Sequence, residues 1–209
     1  MAEMQTAGPI APSTLQPTLA SQLARQTALV VGGSLFVAAC AHISVPLFFT
    51  PVPLTMQNFA VLLLGLLMEP APAFAALTLY LIEGASGMPV FTPHGPGGIL
   101  HLLGPNGGFL LAYPFVAALV SLLARRIRPA SFTTYAFSAA TASLFLYLCG
   151  AAWFTTISHL APATTLKMTV LPFLPGDALK VFAAAAIAIS VMKIRKRAAA
   201  EEASQTSSL

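Results

Sequence analysis

An acidic and a basic side chain lie three residues apart in an otherwise apolar C-terminal segment. They are Asp177 and Lys180, and the apolar run continues from Val181 to Met192. Residues three apart share one face of a helix, so the carboxylate can accept and the ammonium can donate hydrogen bonds to one ligand. Charges inside a bilayer are costly and generally mark a function. The spacing predicts a ligand-binding pair; the alternative is that Asp177 caps the helix and Lys180 extends toward the membrane surface.

The composition places this pair in a membrane protein. Hydrophobic residues make up 57% of the 209-residue chain and charged residues only 8%, against about 25% in a soluble domain. The basic residues lie in short clusters beside apolar segments, where they orient membrane proteins. The net charge of +4 therefore does not indicate nucleic-acid binding. Cys40 and Cys149 lie in apolar segments and are interpreted as packing residues.

Six apolar segments approach the roughly 20 residues that a bilayer-spanning helix needs. The expected fold is an all-α integral membrane protein with six transmembrane helices, at 24–45, 54–68, 71–87, 107–123, 134–160 and 176–192. Residues 1–23 are rich in Pro, Ser and Thr and are expected to form a flexible tail. The membrane domain should therefore cover residues 24–197, and residues 198–209 should form a cytoplasmic tail.

The basic residues also predict an orientation. Placing both termini in the cytoplasm puts most Lys and Arg residues on that side: Arg25, Arg125, Arg126, Arg128, Lys193, Arg195, Lys196 and Arg197. This distribution follows the positive-inside rule and predicts a multi-pass protein of the cytoplasmic (inner) membrane. Two Pro- and Gly-rich loops, at 46–53 and 89–108, would then face outward. Irregular apolar backbone of this kind is expected to form a lid over a pocket.

Four segments resemble one known family, the BioY family. Residues 45–57 (VPLFFTPVPLTMQ) resemble its first outer loop and second helix, residues 80–91 (YLIEGASGMPVF) its third-helix exit, residues 103–109 (LGPNGGF) its glycine-rich loop and residues 172–180 (PFLPGDALK) its last-helix motif. The four occur in the family's order, although Glu83 and Asn106 stand where a neutral residue and a threonine are expected.

BioY proteins are the biotin-specific substrate-binding (S) components of energy-coupling factor (ECF) transporters. The resemblance therefore implies a six-helix protein of the lipid bilayer that binds biotin from outside and serves its uptake. It also implies, in many organisms, a complex with a transmembrane coupling subunit and two ATPase subunits. The chain contains no phosphate-binding loop motif of its own.

The resemblance also assigns roles around biotin, which carries two ureido N–H groups, one ureido carbonyl and a carboxylate tail. Asp177 is expected to accept from the N–H groups and Lys180 to donate to the carbonyl. Backbone N–H groups of the glycine-rich loops would hold the carboxylate. The candidate residues for the carboxylate are Gly97, Gly98, Gly104, Asn106 and Gly107, assisted by His94 or His101, and Thr92 is a further candidate substrate-binding residue. The alternative is that these glycines serve tight turns and close helix packing.

Gln57 and Glu83 complete the candidate substrate-binding residues. Gln57 lies where the second predicted helix begins, and an amide in a membrane helix either meets a ligand or bonds another helix. Glu83 lies toward the outer end of the third predicted helix. It either lines the pocket or is a paired structural acid.

Small residues recur every four positions at the cytoplasmic end of the first predicted helix, at Ala24, Ala28 and Gly32. Such a stripe lets another helix approach closely. The resemblance implies that this stripe docks the coupling subunit. The alternative is packing inside the bundle, and a homo-dimer is also left open.

Two other classes of function have weaker support. The four histidines with Glu83 and Asp177 suggest a nickel or cobalt S component, but their spacings match no compact metal motif. No resident metal or cofactor is therefore expected. An intramembrane enzyme using Asp177 would need a partner base or nucleophile, and the sequence shows no such set.

Overall fold

The computed structural model describes residues 19–93 and 95–207. These form eight helices: α1 (Leu19–His42), α2 (Gln57–Leu67), α3 (Pro70–Ala85), α4 (Ile99–Leu103), α5 (Gly107–Arg126), α6 (Phe132–Ser158), α7 (Pro162–Thr169) and α8 (Leu174–Ser207). The helices α1, α2, α3, α5, α6 and α8 overlap the six predicted ones. The flexible tail was predicted at residues 1–23, of which residues 1–18 lie outside the described residues. The remaining five belong to α1, which begins at Leu19. His94 also lies outside the described residues.

A small antiparallel hairpin replaces two predicted helix ends, so the fold is not wholly α. The strands β1 (Ser44–Val45) and β2 (Leu54–Thr55) pair with each other, although both lie in segments predicted as helix. Proline explains why the first helix ends before Val45. A residue that precedes a proline disfavours the helical conformation, and Val45 precedes Pro46. The proline-rich segment between the strands then closes the hairpin.

Two short helices and one extension also depart from the prediction. The helices α4 and α7 lie in segments predicted as loops. Pro162 begins α7, and the fixed φ of proline suits a first helical position. The helix α8 continues past the predicted end at Met192 to Ser207, because its extension is rich in Lys, Arg, Ala and Glu, all strong helix formers.

Among the described residues, three helices are long and apolar enough to cross a bilayer: α1, α5 and α6. The helix α2 is apolar but shorter. Large apolar side chains on the bundle surface, among them Phe115, Phe137 and Leu148, are exposed in the isolated chain. Such a surface is typical of a lipid-facing bundle, since lipid is as apolar as these side chains. The chain is a multi-pass membrane protein.

The helix α5 lies at the centre of the bundle and packs against α2, α3 and α6. Around it, α1 packs on α3, and α8 packs on α2 and α6. The turn of α2 that carries Gly65 lies very close to α5, because a Cβ added at Gly65 would be 2.6 Å from the carbonyl oxygen of Ala117. This close approach fixes α2, which carries part of the candidate site, against the central helix.

Gly65→Ala is expected to destabilise the bundle. The added methyl group would press on backbone that has little room to move, and overpacking of this kind costs about 1–3 kcal/mol. Thermal unfolding in detergent measures the effect. Gly32→Ala is the matched control, because an added Cβ there meets no atom within 4 Å. Equal melting temperatures for the two variants would contradict the packing assignment.

Candidate ligand-binding site

A pocket lies at the end of the bundle where α2, α5 and α8 begin; we call this end the pocket end. Helices and both predicted lid loops contribute to its lining. The polar lining residues are Thr55, Gln57, Asn58, Thr92, His101, Asn106, Tyr113, Tyr147, Thr169, Asp177 and Lys180. The apolar lining residues are Val52, Pro53, Phe109, Leu110, Leu146 and Phe173.

Asp177 and Lys180 form a buried ion pair in this pocket. Lys180 Nζ donates to Asp177 Oδ1 at 2.6 Å. Asp177 is 7% exposed and Lys180 is 8% exposed. Their predicted position on one helix face is confirmed by this contact. Asp177 lies in the first turn of α8, where the helix dipole favours a negative charge. The pair is therefore built into the pocket wall, and the predicted alternative of an outward-reaching Lys180 does not fit.

Two further side chains donate to the same carboxylate. Tyr147 of α6 donates its hydroxyl hydrogen to Asp177 Oδ2 at 2.5 Å, and Asn58 of α2 donates from Nδ2 at 3.0 Å. A carboxylate offers about four lone-pair sites, so three donors leave Asp177 about one further acceptor site. Lys180 has three N–H donors and uses one of them on Asp177. Asp177 thus joins three helices and still has capacity for a ligand.

Two amide oxygens in the pocket have no partner among the described residues. They are Asn58 Oδ1 and Asn106 Oδ1, both buried. Asn106 precedes the first residue of α5, but its side chain makes no capping hydrogen bond. A buried polar atom without a partner costs free energy. Both oxygens are therefore suited to accept hydrogen bonds from a ligand in the pocket.

Gln57 bonds another helix, which is one of the two roles that the sequence left open, and it also lies at the pocket. Its Nε2 donates to the hydroxyl oxygen of Tyr80 on α3 at 2.6 Å. Its Oε1 accepts from Thr55 Oγ1 at 3.2 Å, and the residue also lines the pocket. Gln57 therefore ties α2 to α3 beneath the hairpin while its side chain forms part of the wall.

The second loop folds over the pocket through His101 and Thr92. His101 Nδ1 lies 2.9 Å from the carbonyl oxygen of Pro96, and His101 Nε2 lies 3.3 Å from Thr92 Oγ1. A carbonyl oxygen only accepts, so Nδ1 carries the hydrogen, and in the neutral ring Thr92 donates to Nε2. The ring also stacks on Phe91, with centroids 5.0 Å apart. These contacts hold the loop in one position above the pocket.

Five of the predicted candidates do not line the pocket: Glu83, Gly97, Gly98, Gly104 and Gly107. Glu83 Oε2 instead accepts a hydrogen bond from Ser34 Oγ of α1. Glu83 on α3 faces α1, whereas the hydroxyl of Tyr80, one turn earlier on α3, accepts a hydrogen bond from Gln57 in the pocket wall. The structure thus agrees with the paired structural acid that the sequence left as an alternative.

The glycine-rich loop serves packing. The carbonyl oxygen of Gly104 accepts from Trp153 Nε1 at 3.0 Å. A Cβ added at Gly107 would lie 1.9 Å from the carbonyl oxygen of Leu102, and one at Gly108 would lie 2.2 Å from Trp153 Cβ. These glycines let α5 start against α4 and α6, in agreement with the alternative of close helix packing. The predicted carboxylate cradle at Gly97 and Gly104 has no support in this geometry.

The small-residue stripe lies on the surface of the bundle. Ala24, Ala28 and Gly32 are all exposed, whereas the neighbouring Gly33 is buried against Ala76 of α3. The alternative of packing inside the bundle is therefore excluded for these three residues. Their face of α1 is open to another molecule.

Sequence reasoning missed Asn58 and Tyr147. Asn58 is a polar residue within an otherwise apolar helix, next to Gln57, and that signal was present in the sequence. Tyr147 lies in the middle of α6 among apolar residues, where an aromatic side chain usually packs. Its contact with Asp177 depends on how α6 meets α8. No group of three His, Cys, Asp or Glu side chains within the described part of the chain could hold a metal ion.

A family model matches most of the chain. The BioY family model covers residues 10–197. The chain is 36% identical over 149 residues to the "Probable biotin transporter BioY" of Bacillus subtilis, a match that covers 70% of this chain and 79% of the relative. It is also 36% identical over 168 residues to the protein of that name from Pyrococcus horikoshii, covering 79% of this chain and 94% of the relative.

A solved structure has the same fold. A crystal structure described as the S-component for biotin from an ECF-type ABC transporter superposes with a TM-score of 0.77 at 24% identity. The match covers 84% of this chain and 95% of the solved chain. At this identity the likeness establishes the fold of the helical bundle.

Proposed function

Because the chain belongs to the BioY family, we propose that it binds biotin and acts as the substrate-binding component of a biotin uptake system. The observation that carries this proposal is the polar set of the pocket. One carboxylate, one ammonium and two unpartnered amide oxygens lie together in a wall whose other side chains are aromatic, apolar or polar without a formal charge.

The ureido ring of biotin complements this set. Its carbonyl oxygen accepts from the two N–H groups that Lys180 does not use on Asp177. One ring N–H donates to the remaining acceptor site of Asp177, and the other donates to the amide oxygen of Asn58 or Asn106. Phe109, Leu110 and Leu146 cover the apolar parts of the ligand. A mostly apolar pocket with a few placed polar groups is typical of small-molecule sites.

Asn106→Ala is expected to weaken biotin binding by about two- to tenfold, the effect of losing one neutral hydrogen bond. Ser143→Ala is the matched control. Ser143 also carries a buried oxygen without a partner among the described residues, but it does not line the pocket. Equilibrium binding of labelled biotin in detergent measures both variants. An unchanged affinity for Asn106→Ala would remove this residue from the site.

The orientation belongs to the same proposal. Six membrane-spanning helices, α1, α2, α3, α5, α6 and α8, place both termini in the cytoplasm of an inner-membrane protein. The pocket end then faces outward, and the hairpin and the loop carrying His101 act as the lid. Support comes from Arg25, Arg125 and Arg195, which line one cavity at the opposite end, as the positive-inside rule requires.

The partners follow from the exposed stripe. Ala24, Ala28 and Gly32 are proposed to dock an ECF transmembrane coupling subunit, which two ATPase subunits drive. A second copy of the chain is the alternative occupant of this face.

The named members of the family are transporters, and the chain is accordingly a binding component and not an enzyme. The nickel or cobalt alternative has no support in the pocket, where Asp177 is held by three donors.

Uptake by living cells tests the proposed function. A biotin-auxotrophic bacterial strain without its own biotin transporter would express this chain alone or with an ECF coupling subunit and ATPases. Labelled biotin should accumulate above the level of an empty vector, and Lys180→Met should abolish the difference. Absence of uptake in both arms, with the protein present in the membrane, would contradict a role in biotin transport.

A further inference from the structure

A second cavity lies at the end of the bundle opposite the pocket, and we call it the basic cavity. It has a volume of about 680 Å³, within the range of roughly 300–1,000 Å³ found for small-molecule sites. Three arginines line it, each from a different helix: Arg25 of α1, Arg125 of α5 and Arg195 of α8. Residues from three distant parts of the sequence thus bring positive charge to one place.

The arginines outnumber the acids at this cavity. Glu69, at the turn between α2 and α3, is the one acidic residue in the lining, which leaves a formal charge of plus two. The ion pair found among the described residues is that of Asp177 and Lys180 at the pocket end, so Glu69 is not paired with an arginine there. Uncompensated guanidinium groups in a concave site attract an anion, and arginine suits phosphate groups because of its planar fork of donors.

One of the three arginines is held in place. Arg125 Nε donates to Ser121 Oγ at 3.3 Å, and Ser121 Oγ donates to the carbonyl oxygen of Met68 at 2.7 Å. Ser121 itself is 1% exposed. This chain of bonds anchors Arg125 toward the turn between α2 and α3 while the terminal nitrogens of its guanidinium keep their donors for a ligand.

Apart from Gln26, the remaining lining of the basic cavity is apolar. Leu29, Leu64, Leu67 and Met68 form the wall below the arginines. A free inorganic anion would use the charges and leave this apolar wall in water. A phospholipid uses both, since its phosphate meets the arginines while an acyl chain covers the leucines. Arginines at a helix end lie at the headgroup level of a bilayer, and basic pockets between membrane helices bind anionic headgroups.

From this arrangement we propose that the basic cavity binds one anionic phospholipid. Ala28 and Gly32 also line the cavity, so the lipid and a helix docked on the stripe would share space. Lipid binding itself requires neither biotin nor a partner subunit. Its failure is therefore distinguishable from a failure of the proposed transport function.

Native mass spectrometry of the full-length protein in detergent tests the proposal. Phosphatidylglycerol is titrated against phosphatidylcholine with the same acyl chains, and one tightly bound phosphatidylglycerol is expected. The variant combining Arg125→Gln with Arg195→Gln should bind it about twenty-fivefold more weakly, or about fivefold for each arginine. The control combines Arg126→Gln with Arg197→Gln, because these neighbours remove the same charge but do not line the cavity.

Three results would overturn the proposal. Equal losses in the two double variants would assign the binding to general surface charge. Equal binding of both lipids would remove the role of the anionic headgroup. Binding of soluble glycerol phosphate as tightly as the lipid would make the cavity a site for free anions. Arg195→Gln alone, on an exposed part of α8, keeps the test decisive if circular dichroism shows that the double variant does not fold.

Discussion

Asp177→Asn is expected to weaken biotin binding by about ten- to a hundredfold, because hydrogen bonds to a charged group contribute about 1.5–3 kcal/mol. The loss has two sources. The ligand loses a charged acceptor, and the side chains that the carboxylate holds lose their common partner. Lys180 at 2.6 Å, Tyr147 at 2.5 Å and Asn58 at 3.0 Å all converge on it. Lys180→Met should have an effect of similar size.

Stability and binding can be separated at this pair. Each single variant leaves one buried charge without its partner, which typically destabilises a protein by about 3–5 kcal/mol. The double variant, Asp177→Asn with Lys180→Met, removes both charges and should recover much of that stability without recovering biotin binding. Lys167→Met, an exposed cation on α7, controls for the loss of charge alone. Normal affinity in the folded single variants would place the binding site elsewhere.

Ala28→Trp is expected to abolish ATP-dependent biotin uptake while biotin binding survives. Ala28 and Gly32 are exposed, and a Cβ added at Gly32 meets no atom within 4 Å, so the bundle itself has room for the new side chain. A docked helix of the coupling subunit would leave no room for the tryptophan, because its close approach depends on small residues at this face. The pocket lies at the opposite end and should keep its affinity.

Two measurements on the same variants decide this prediction. One is biotin affinity in detergent, and the other is uptake by cells that supply the coupling subunit and ATPases. Thr27→Trp is the matched control, since Thr27 is exposed beside Ala28 but lies outside the lining of the basic cavity. Lost affinity in Ala28→Trp would mean that the tryptophan disturbs the bundle. Undiminished uptake would mean that the partner docks on another face or is not needed.

The sequence predicted the helices where apolar length and charge decide the outcome. The central helix α5 and the long α6 start and end within three residues of their predicted bounds because charged or proline-containing segments flank them. The hairpin at Ser44–Val45 and Leu54–Thr55 was not predicted. A strand of two residues is too short to show the alternation of polar and apolar residues that predicts a strand. Its pairing also depends on the conformation of the proline-rich segment between the strands, which the sequence alone does not reveal.

The residues of the candidate site also divide into those that the sequence could predict and those that it could not. Asp177 and Lys180 could be predicted because a charge within an apolar membrane helix is costly and is retained mainly where it has a function. Tyr147 could not, since its hydroxyl reaches Asp177 only through the packing of α6 on α8. The sequence left open whether Glu83 lines the pocket or is a paired structural acid, and the rotation of this residue about α3 directs it to Ser34. Rotation about a helix axis is set by packing, which the depth of a residue does not reveal.

Isothermal titration calorimetry of the purified protein with biotin, without ATP, tests the central claim most directly. The account predicts saturable binding of biotin and none of lipoic acid, which carries a similar carboxylate chain but no ureido ring. Thiamine and riboflavin should also give no signal, and neither should nickel or cobalt ions. No binding of biotin by a demonstrably folded sample, or equal binding of lipoic acid, would contradict the assignment of the pocket to the ureido ring.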